Sequence, residues 1–238
     1  MTKGLQAGEF RFRRDGSSVY AKGGSFMQSY TKMRSTRHHD VIMKVIPGHF
    51  VTPNSHINYY IDMTTMKTRA NEAQAAARAM SEVYVSSTVV DTIVCMDGME
   101  VIGAYMAQEL TKAGIMSMNA HKTIYIMTPE YDLAGQMIVR ENNLMMVRGK
   151  HCLLLLASAT TGQTIARAGK SINYYGGTIE GISAIYSAVS KVMDYPVHAL
   201  YTTADLPDYK SYQPNNCKMC QNHEPIDAIC NGFGYSRL

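Results

Sequence analysis

Long apolar runs are missing from this 238-residue sequence. The longest, around Leu153-Leu154-Leu155-Leu156-Ala157, falls far short of the roughly 20 residues that cross a bilayer, so no membrane-spanning segment is expected. An apolar h-region is missing too. Met1-Thr2-Lys3-Gly4-Leu5 leads directly toward Arg11, Arg13 and Arg14, which does not read as a secretory signal, and the expected location is the cytoplasm. Five cysteines, an odd number, do not read as a disulfide framework and are expected as thiols. No helix-turn-helix pattern precedes the core, so nucleic acid is not the expected partner.

The composition is that of a folded chain. Hydrophobic residues make up 46% and charged residues 18%, which supplies a sizeable core and excludes a disordered polyelectrolyte. One main α/β core is expected at this length. Arg11, Arg13, Arg14, Lys22, Lys32, Arg34 and Arg37 gather positive charge near the start, in a stretch rich in Gly and Ser with little apolar periodicity. Residues 1–45 are therefore expected to form a basic, irregular, solvated arm, and residues 46–238 the domain proper.

Within that domain, helix and strand signals alternate. Residues 71–83 are dense in strong helix formers and lead to the β-branched run 89–94. Asp97-Gly98 marks a turn, 101–110 has helical spacing and stops at Gly114, and 122–127 reads as a strand ended by Pro129. The pattern repeats with a strand at 151–157, a polar turn at 158–162, a helix at 163–175 ended by Gly176-Gly177, and strands at 178–186 and 196–201. Continuous rather than alternating apolar strands indicate burial on both faces. The expected architecture is an α/β sandwich of about five parallel strands flanked by helices.

Ligands of open α/β sheets bind beyond the carboxyl ends of the strands, where Ser158-Ala159-Thr160-Thr161-Gly162-Gln163-Thr164 lies. Thr160 and Thr161 offer hydroxyl donors, Gly162 permits close backbone approach, and the helix that follows presents unpaired N–H groups to an anion. Read without a family, the same residues also fit an ordinary strand-to-helix turn with a threonine cap. Tyr59 and Tyr60 could stack on a base, although strand alternation sends one of them into the core. Cys217-Lys218-Met219-Cys220, with His223 and Cys230 nearby, has one zinc-knuckle pair but not a full ligand set. It is expected as a tight structural turn with free thiols, and His38, His39 and His49 as ordinary loop or hydrogen-bonded histidines.

Leu153 to Thr164 resembles the signature strand and loop of type I phosphoribosyltransferases, in which the loop holds the 5-phosphate of phosphoribosyl pyrophosphate. Three further stretches resemble the orotate members in order and spacing. Gly48 to Asp62 is similar to their N-terminal segment, which implies a base side formed by Ser55, His56, Asn58 and Tyr60. Asp97-Gly98-Met99-Glu100 lies where the family places its pyrophosphate loop, and Cys217 to Pro225 resembles a C-terminal Cys-x-x-Cys stretch. The resemblance implies a type I phosphoribosyltransferase-like fold, with a small hood formed by N- and C-terminal segments. It also implies magnesium bound with phosphoribosyl pyrophosphate, a nucleobase or nucleotide partner, and a homodimer. It implies no zinc.

Two departures stand out against that pattern. Active members carry adjacent acids where this sequence has Leu156 and Ala157, and neither residue can hold a ribose hydroxyl or offset an oxocarbenium-like charge. The mobile loop that covers the pyrophosphate in orotate enzymes corresponds to about 129–143, where Arg140 is the only basic residue. The expected function is transfer of ribose 5-phosphate to a nitrogenous base. The alternative is a catalytically impaired sensor of a nucleotide or of phosphoribosyl pyrophosphate on the same fold.

Overall fold

The computed structural model of the protein describes residues 11–12, 18–19, 30–35, 37–112, 117–120 and 122–238. Arg11–Phe12 (β1) pairs antiparallel with Ser18–Val19 (β2). There follow Thr31–Arg34 (β3), Ile42–Val51 (β4), His56–Asp62 (β5), helices Thr64–Thr68 (α1) and Ala70–Ser81 (α2), Thr92–Cys95 (β6), helix Glu100–Thr111 (α3) and Tyr125–Met127 (β7). A small hairpin joins Glu130–Tyr131 (β8) to Met137–Ile138 (β9). Then come His151–Ala159 (β10), helix Gln163–Tyr174 (α4), Thr178–Ser187 (β11), Lys191–Val192 (β12) and Tyr195–Thr202 (β13). The chain closes with Ser211–Tyr212 (β14), helix Lys218–Gln221 (α5), Ala228–Asn231 (β15) and Gly234–Arg237 (β16).

The central sheet has the order β12-β13-β11-β10-β6-β7. Its five long-range partners β13, β11, β10, β6 and β7 are parallel, as the strand spacing predicted, and only β12 runs antiparallel at the edge. β10 is the middle of the sheet and is apolar on both faces. Leu153, Leu155 and Ala157 pack with α2 and α3 on one side, while Leu154 and Leu156 pack with α4 on the other. Each buried leucine contributes about 1.5–3 kcal/mol, so this run alone fixes the strand at the sheet centre. The alanines of α2 keep that layer thin: Ala73, Ala76 and Ala77 are fully buried.

A second sheet caps one end. Its order is β14-β5-β4-β15-β16, with β3 added on β4, so strands from both ends of the chain share one ladder. This is the hood implied by the resemblance. Its parallel seam pairs Ala228 with Phe50 and Ile229 with Val51. The Tyr201 hydroxyl ties the two sheets together by donating to the carbonyls of Val41 at 2.8 Å and Met33 at 3.2 Å.

Several boundaries differ from expectation. Regular structure is already present before residue 46: β3 and the start of β4 form a ladder, and Val41, Met43 and Val45 are buried in the main core. The basic run masks this because the apolar residues alternate with Lys44 and others along the strand. Of the basic residues in the expected arm, Lys32, Arg34 and Arg37 fall on or beside that ladder. Arg13, Arg14 and Lys22 lie outside the described residues, as does Gly114, the expected helix stop. The strand expected at 122–127 is confined to Tyr125–Met127, where it pairs with β6 as the sheet edge.

Candidate functional site

β10 ends at Ala159, and the chain turns through Thr160, Thr161 and Gly162 into α4. Gly162 has φ 74°, and a Cβ there would lie 2.6 Å from Val192 Cγ2, so both the backbone angle and the space require glycine. The first turn of α4 carries no side-chain cap and no acid. The Gln163 N–H makes a long 3.4 Å hydrogen bond to Thr161 Oγ1, and the N–H groups that follow, with the positive end of the helix dipole, face whatever occupies the turn. Thr160, Thr161, Gly162 and Thr164 line a cleft there, together with Ser158 and Ala159; Gln163 does not.

The cleft lies between the carboxyl ends of the central strands and the hood. Thr52 to Ser55 and Tyr60 form its hood wall, and Asn231 to Phe233 close it from the C-terminal segment. Lys67 and Asp97 are the only charged side chains among the described residues that line it. Asp97 stands at a left-handed corner, φ 56°, followed by Gly98 at φ 75°, which is the turn that Asp97-Gly98 predicted. Burial pushes the Asp97 carboxyl above its ordinary value, against the pull of the Lys67 charge and the Ala157 backbone N–H. Lys67 Nζ donates to the carbonyls of Asp97 and Gly232, each at 2.7 Å, and so anchors the hood to the strand-end loop.

No protein-family model and no curated protein matches the chain. Solved structures do. The UMP synthase of Leishmania donovani superposes with a TM-score of 0.50 at 16% identity, covering 68% of this chain and 34% of that one. A phosphoribosyltransferase from Corynebacterium diphtheriae gives 0.47 at 15% identity over 68% of this chain and 90% of its own. The orotate phosphoribosyltransferase of Aeropyrum pernix gives 0.47 at 14% identity over the same 68% and 90%. The fold is that of the type I phosphoribosyltransferases. At these identities the likeness speaks for the fold and not for the chemistry.

On the phosphoribosyltransferase fold, the residues expected to form the site divide. Of the base-side set, Ser55 and Tyr60 line the cleft, whereas His56 and Asn58 do not. The Asn58 amide is used as a staple, donating to the Asp208 carbonyl at 2.7 Å and accepting from the Lys210 N–H at 2.6 Å. Tyr59 and Tyr60 both reach the cleft but pack toward different clusters, Tyr59 with the main core and Tyr60 among Phe50 and Tyr235. Of Asp97, Gly98, Met99 and Glu100, Asp97 alone lines the cleft. Met99 is fully buried in the core, and Glu100 opens α3 and accepts from the Thr128 hydroxyl at 3.1 Å.

Leu156 and Ala157 line the cleft as apolar residues at the two positions where the resemblance implies an acidic pair. The β8–β9 hairpin falls in the segment expected for the covering loop, but it packs on α4 and none of its residues lines the cleft. Its Arg140 is held by Glu130 through two hydrogen bonds, one from Nε at 2.8 Å, so the loop brings no free cation to the cleft. Tyr186 also lines the cleft. Its hydroxyl is buried and has no hydrogen-bond partner within the protein. Neither Lys67 nor Tyr186 was found from sequence: Lys67 sits in a five-residue helix without a motif, and Tyr186 in a strand that reads as core.

A second convergence lies behind the hood wall. His49 Nε2, His56 Nδ1, Cys217 Sγ and Cys220 Sγ all fall within 4.8 Å of one another. The expectation of a cysteine turn on its own is corrected here, because two histidines more than 160 residues earlier fold onto it. The nearer candidates do not join. Cys230 is buried with Phe50 and Ile57, and His223 lies outside the group. All five cysteines are free thiols, as expected. Among the described residues no helix is long and apolar enough to cross a membrane.

Proposed function

We propose that the cleft binds phosphoribosyl pyrophosphate and that the chain transfers its ribose 5-phosphate to a nitrogenous base of the orotate-like kind. The observation that carries the reading is the uncapped N-terminus of α4 behind Thr160, Thr161 and Gly162, a neutral cradle suited to a monophosphate, at a strand end of this fold. The 5-phosphate would accept from the leading N–H groups of α4 and the two threonine hydroxyls. Lys67 would face the pyrophosphate, and Ser55, Tyr60 and Tyr186 would border the base and ribose.

Magnesium fits this arrangement. Asp97 is a single cleft carboxylate, and magnesium is commonly held by one or two carboxylates while substrate phosphates and water complete its shell. When bound it would neutralise charge on the pyrophosphate as that group leaves. The chain's own residues then do the rest: the loop fixes the phosphate end, and the hood wall excludes water from the far side.

A second reading is favoured by one observation, the apolar pair Leu156 and Ala157 on the cleft floor. Without a carboxylate there, transfer would be slower by a factor on the order of 10²–10³, and the protein would serve as a sensor that binds and releases the same ligand. Calorimetric titration of phosphoribosyl pyrophosphate, with and without magnesium, tests the shared step. Binding is expected to the unaltered chain and not to a folded Thr161→Ala, Gly162→Ala variant. Absence of binding to the unaltered chain would end both readings. Assay of bound ligand with orotate and other bases then separates enzyme from sensor, and solution scattering tests the homodimer that belongs to the enzyme reading.

A further inference from the structure

The four groups behind the hood wall have the geometry of a metal centre. A tetrahedral zinc ion with Zn–N bonds near 2.05 Å and Zn–S bonds near 2.3 Å separates its ligand atoms by about 3.3 Å (N to N), about 3.6 Å (N to S) and about 3.8 Å (S to S). Here His49 Nε2 and His56 Nδ1 are 3.0 Å apart. Cys220 Sγ lies 3.6 Å from His49 Nε2 and 3.3 Å from His56 Nδ1, and Cys217 Sγ lies 3.7 Å from His49 Nε2. These four edges fall within about 0.3 Å of the tetrahedral values, and the two that remain, from Cys217 Sγ to His56 Nδ1 and to Cys220 Sγ, are within 4.8 Å.

The supporting contacts fit as well. His49 Nδ1 stands 3.1 Å from the Glu224 carbonyl, and donating to it leaves the Nε2 lone pair pointing at the cluster. A carbonyl on the second ring nitrogen is the usual way a ligating histidine is oriented. The His49 backbone is held in turn: its N–H donates to Asp227 Oδ2 and its carbonyl accepts from the Asp227 N–H, both at 2.8 Å. Cys217 and Cys220 sit at the start of α5, where the Gln221 N–H donates to the Cys217 carbonyl and closes the turn that brings both sulfurs to one side. His49 and Cys217 are almost wholly buried, and His56 nearly so.

We propose that His49, His56, Cys217 and Cys220 bind one zinc ion in a closed structural site that fastens α5 to the β4–β5 hairpin. Two sulfur and two nitrogen donors in a tetrahedron select zinc, and four protein ligands leave no position for a substrate or a catalytic water. Binding releases the two thiol protons, so two thiolates and two neutral imidazoles balance the dication. The site's consequence for the cleft is positional. His56 follows Ser55 directly, so the ion would hold the Thr52–Ser55 wall against the C-terminal segment. The proposal stands without the transferase reading.

Elemental analysis of the full chain, purified without chelator or metal-affinity tag, is expected to find one zinc per chain. Cys220→Ser removes a direct ligand and should lower zinc affinity by more than the roughly 10- to 100-fold that loss of an outer-shell partner costs. His223→Ala and Cys230→Ala remove the sequence-adjacent alternatives and should leave the content unchanged. Cobalt exchanged into the unaltered protein should show the intense visible bands and near-ultraviolet sulfur charge transfer of a tetrahedral thiolate site, a readout that does not require any variant to fold. A folded, zinc-incubated and dialysed chain that holds no zinc would overturn the proposal. Iron in place of zinc, weak octahedral cobalt bands, or metal kept by Cys220→Ser but lost from His223→Ala would do so too.

Discussion

Lys67 reaches the cleft from a short helix and spends two of its three donors on the carbonyls of Asp97 and Gly232, which leaves the third for a ligand. Burial pulls its ammonium below the ordinary value, while Asp97, Glu100 and Asp62 push it back up. As the sole cation among the described cleft residues, it should matter to a pyrophosphate and not to a bare monophosphate. Lys67→Met is expected to weaken binding of phosphoribosyl pyrophosphate by about 10- to 100-fold, the range of a hydrogen bond to a charged group, and to leave ribose 5-phosphate nearly unaffected. Equal affinity of variant and parent in calorimetry would remove Lys67 from the site.

Sequence was informative at this scale where function rests on the backbone and silent where it rests on a lone side chain. Thr160 to Gly162 stood out through their resemblance to a family's signature loop, since by spacing alone they also fit an ordinary strand-to-helix turn. Lys67, Tyr186 and the His49–His56 pair have ordinary neighbours and become notable only in space. The same holds for Asp91. Its partial burial raises the carboxyl, but hydrogen bonds from the His151 backbone and ring, 2.7 Å away at Nδ1, outweigh this and hold it below the ordinary value. A carboxylate depressed in the folded state adds stability above its unfolded pKa of about 3.9 and loses it as pH falls through that value and below. The stability gap between the parent and Asp91→Asn in denaturant titrations should therefore be constant near neutrality and close on acidification below about pH 4. A gap that widens in acid would refute the assignment.

At the scale of elements, the parallel sheet was legible almost strand for strand because its signals are local: apolar runs for β10 and β11, strong helix formers for α2, and a glycine stop after α4. The hood was not. Its seam joins residues near 50 to residues near 228, and neither segment alone has a pattern that names its partner. Packing between layers is equally non-local, as Gly103 illustrates. A Cβ there would come 2.3 Å from Cys95 Sγ, so α3 lies directly on β6. Gly103→Ala favours the helix locally by about 1 kcal/mol but must push the layer apart, at about 1–3 kcal/mol. A net loss of stability in urea unfolding is expected, against the gain that an exposed helical glycine would give. A gain would mean that the two layers are more loosely joined than the geometry says.

At the scale of the whole molecule, two sheets built from different parts of the chain meet at one cleft, and the polar groups come from both. The Thr160–Gly162 turn belongs to the central sheet, and the wall facing it belongs to the hood, beside the His49–Cys217 cluster. What this assembly lacks is a carboxylate on the floor. Ala157 is the better place to restore one. It is small, lines the cleft, and its N–H already donates toward Asp97, whereas Leu156 fills the core on the α4 side. Ala157→Asp should raise transfer to a base by on the order of 10²-fold in a saturating assay with magnesium while changing affinity for phosphoribosyl pyrophosphate far less, because the new charge acts on the developing positive charge at the anomeric carbon. If the parent already turns over rapidly and the variant is no faster, Asp97 supplies that charge and the sensor reading is lost. If both bind and neither reacts, the cleft is a binding site whose remaining defects lie elsewhere, first of all in Arg140 just after β9, which is paired with Glu130.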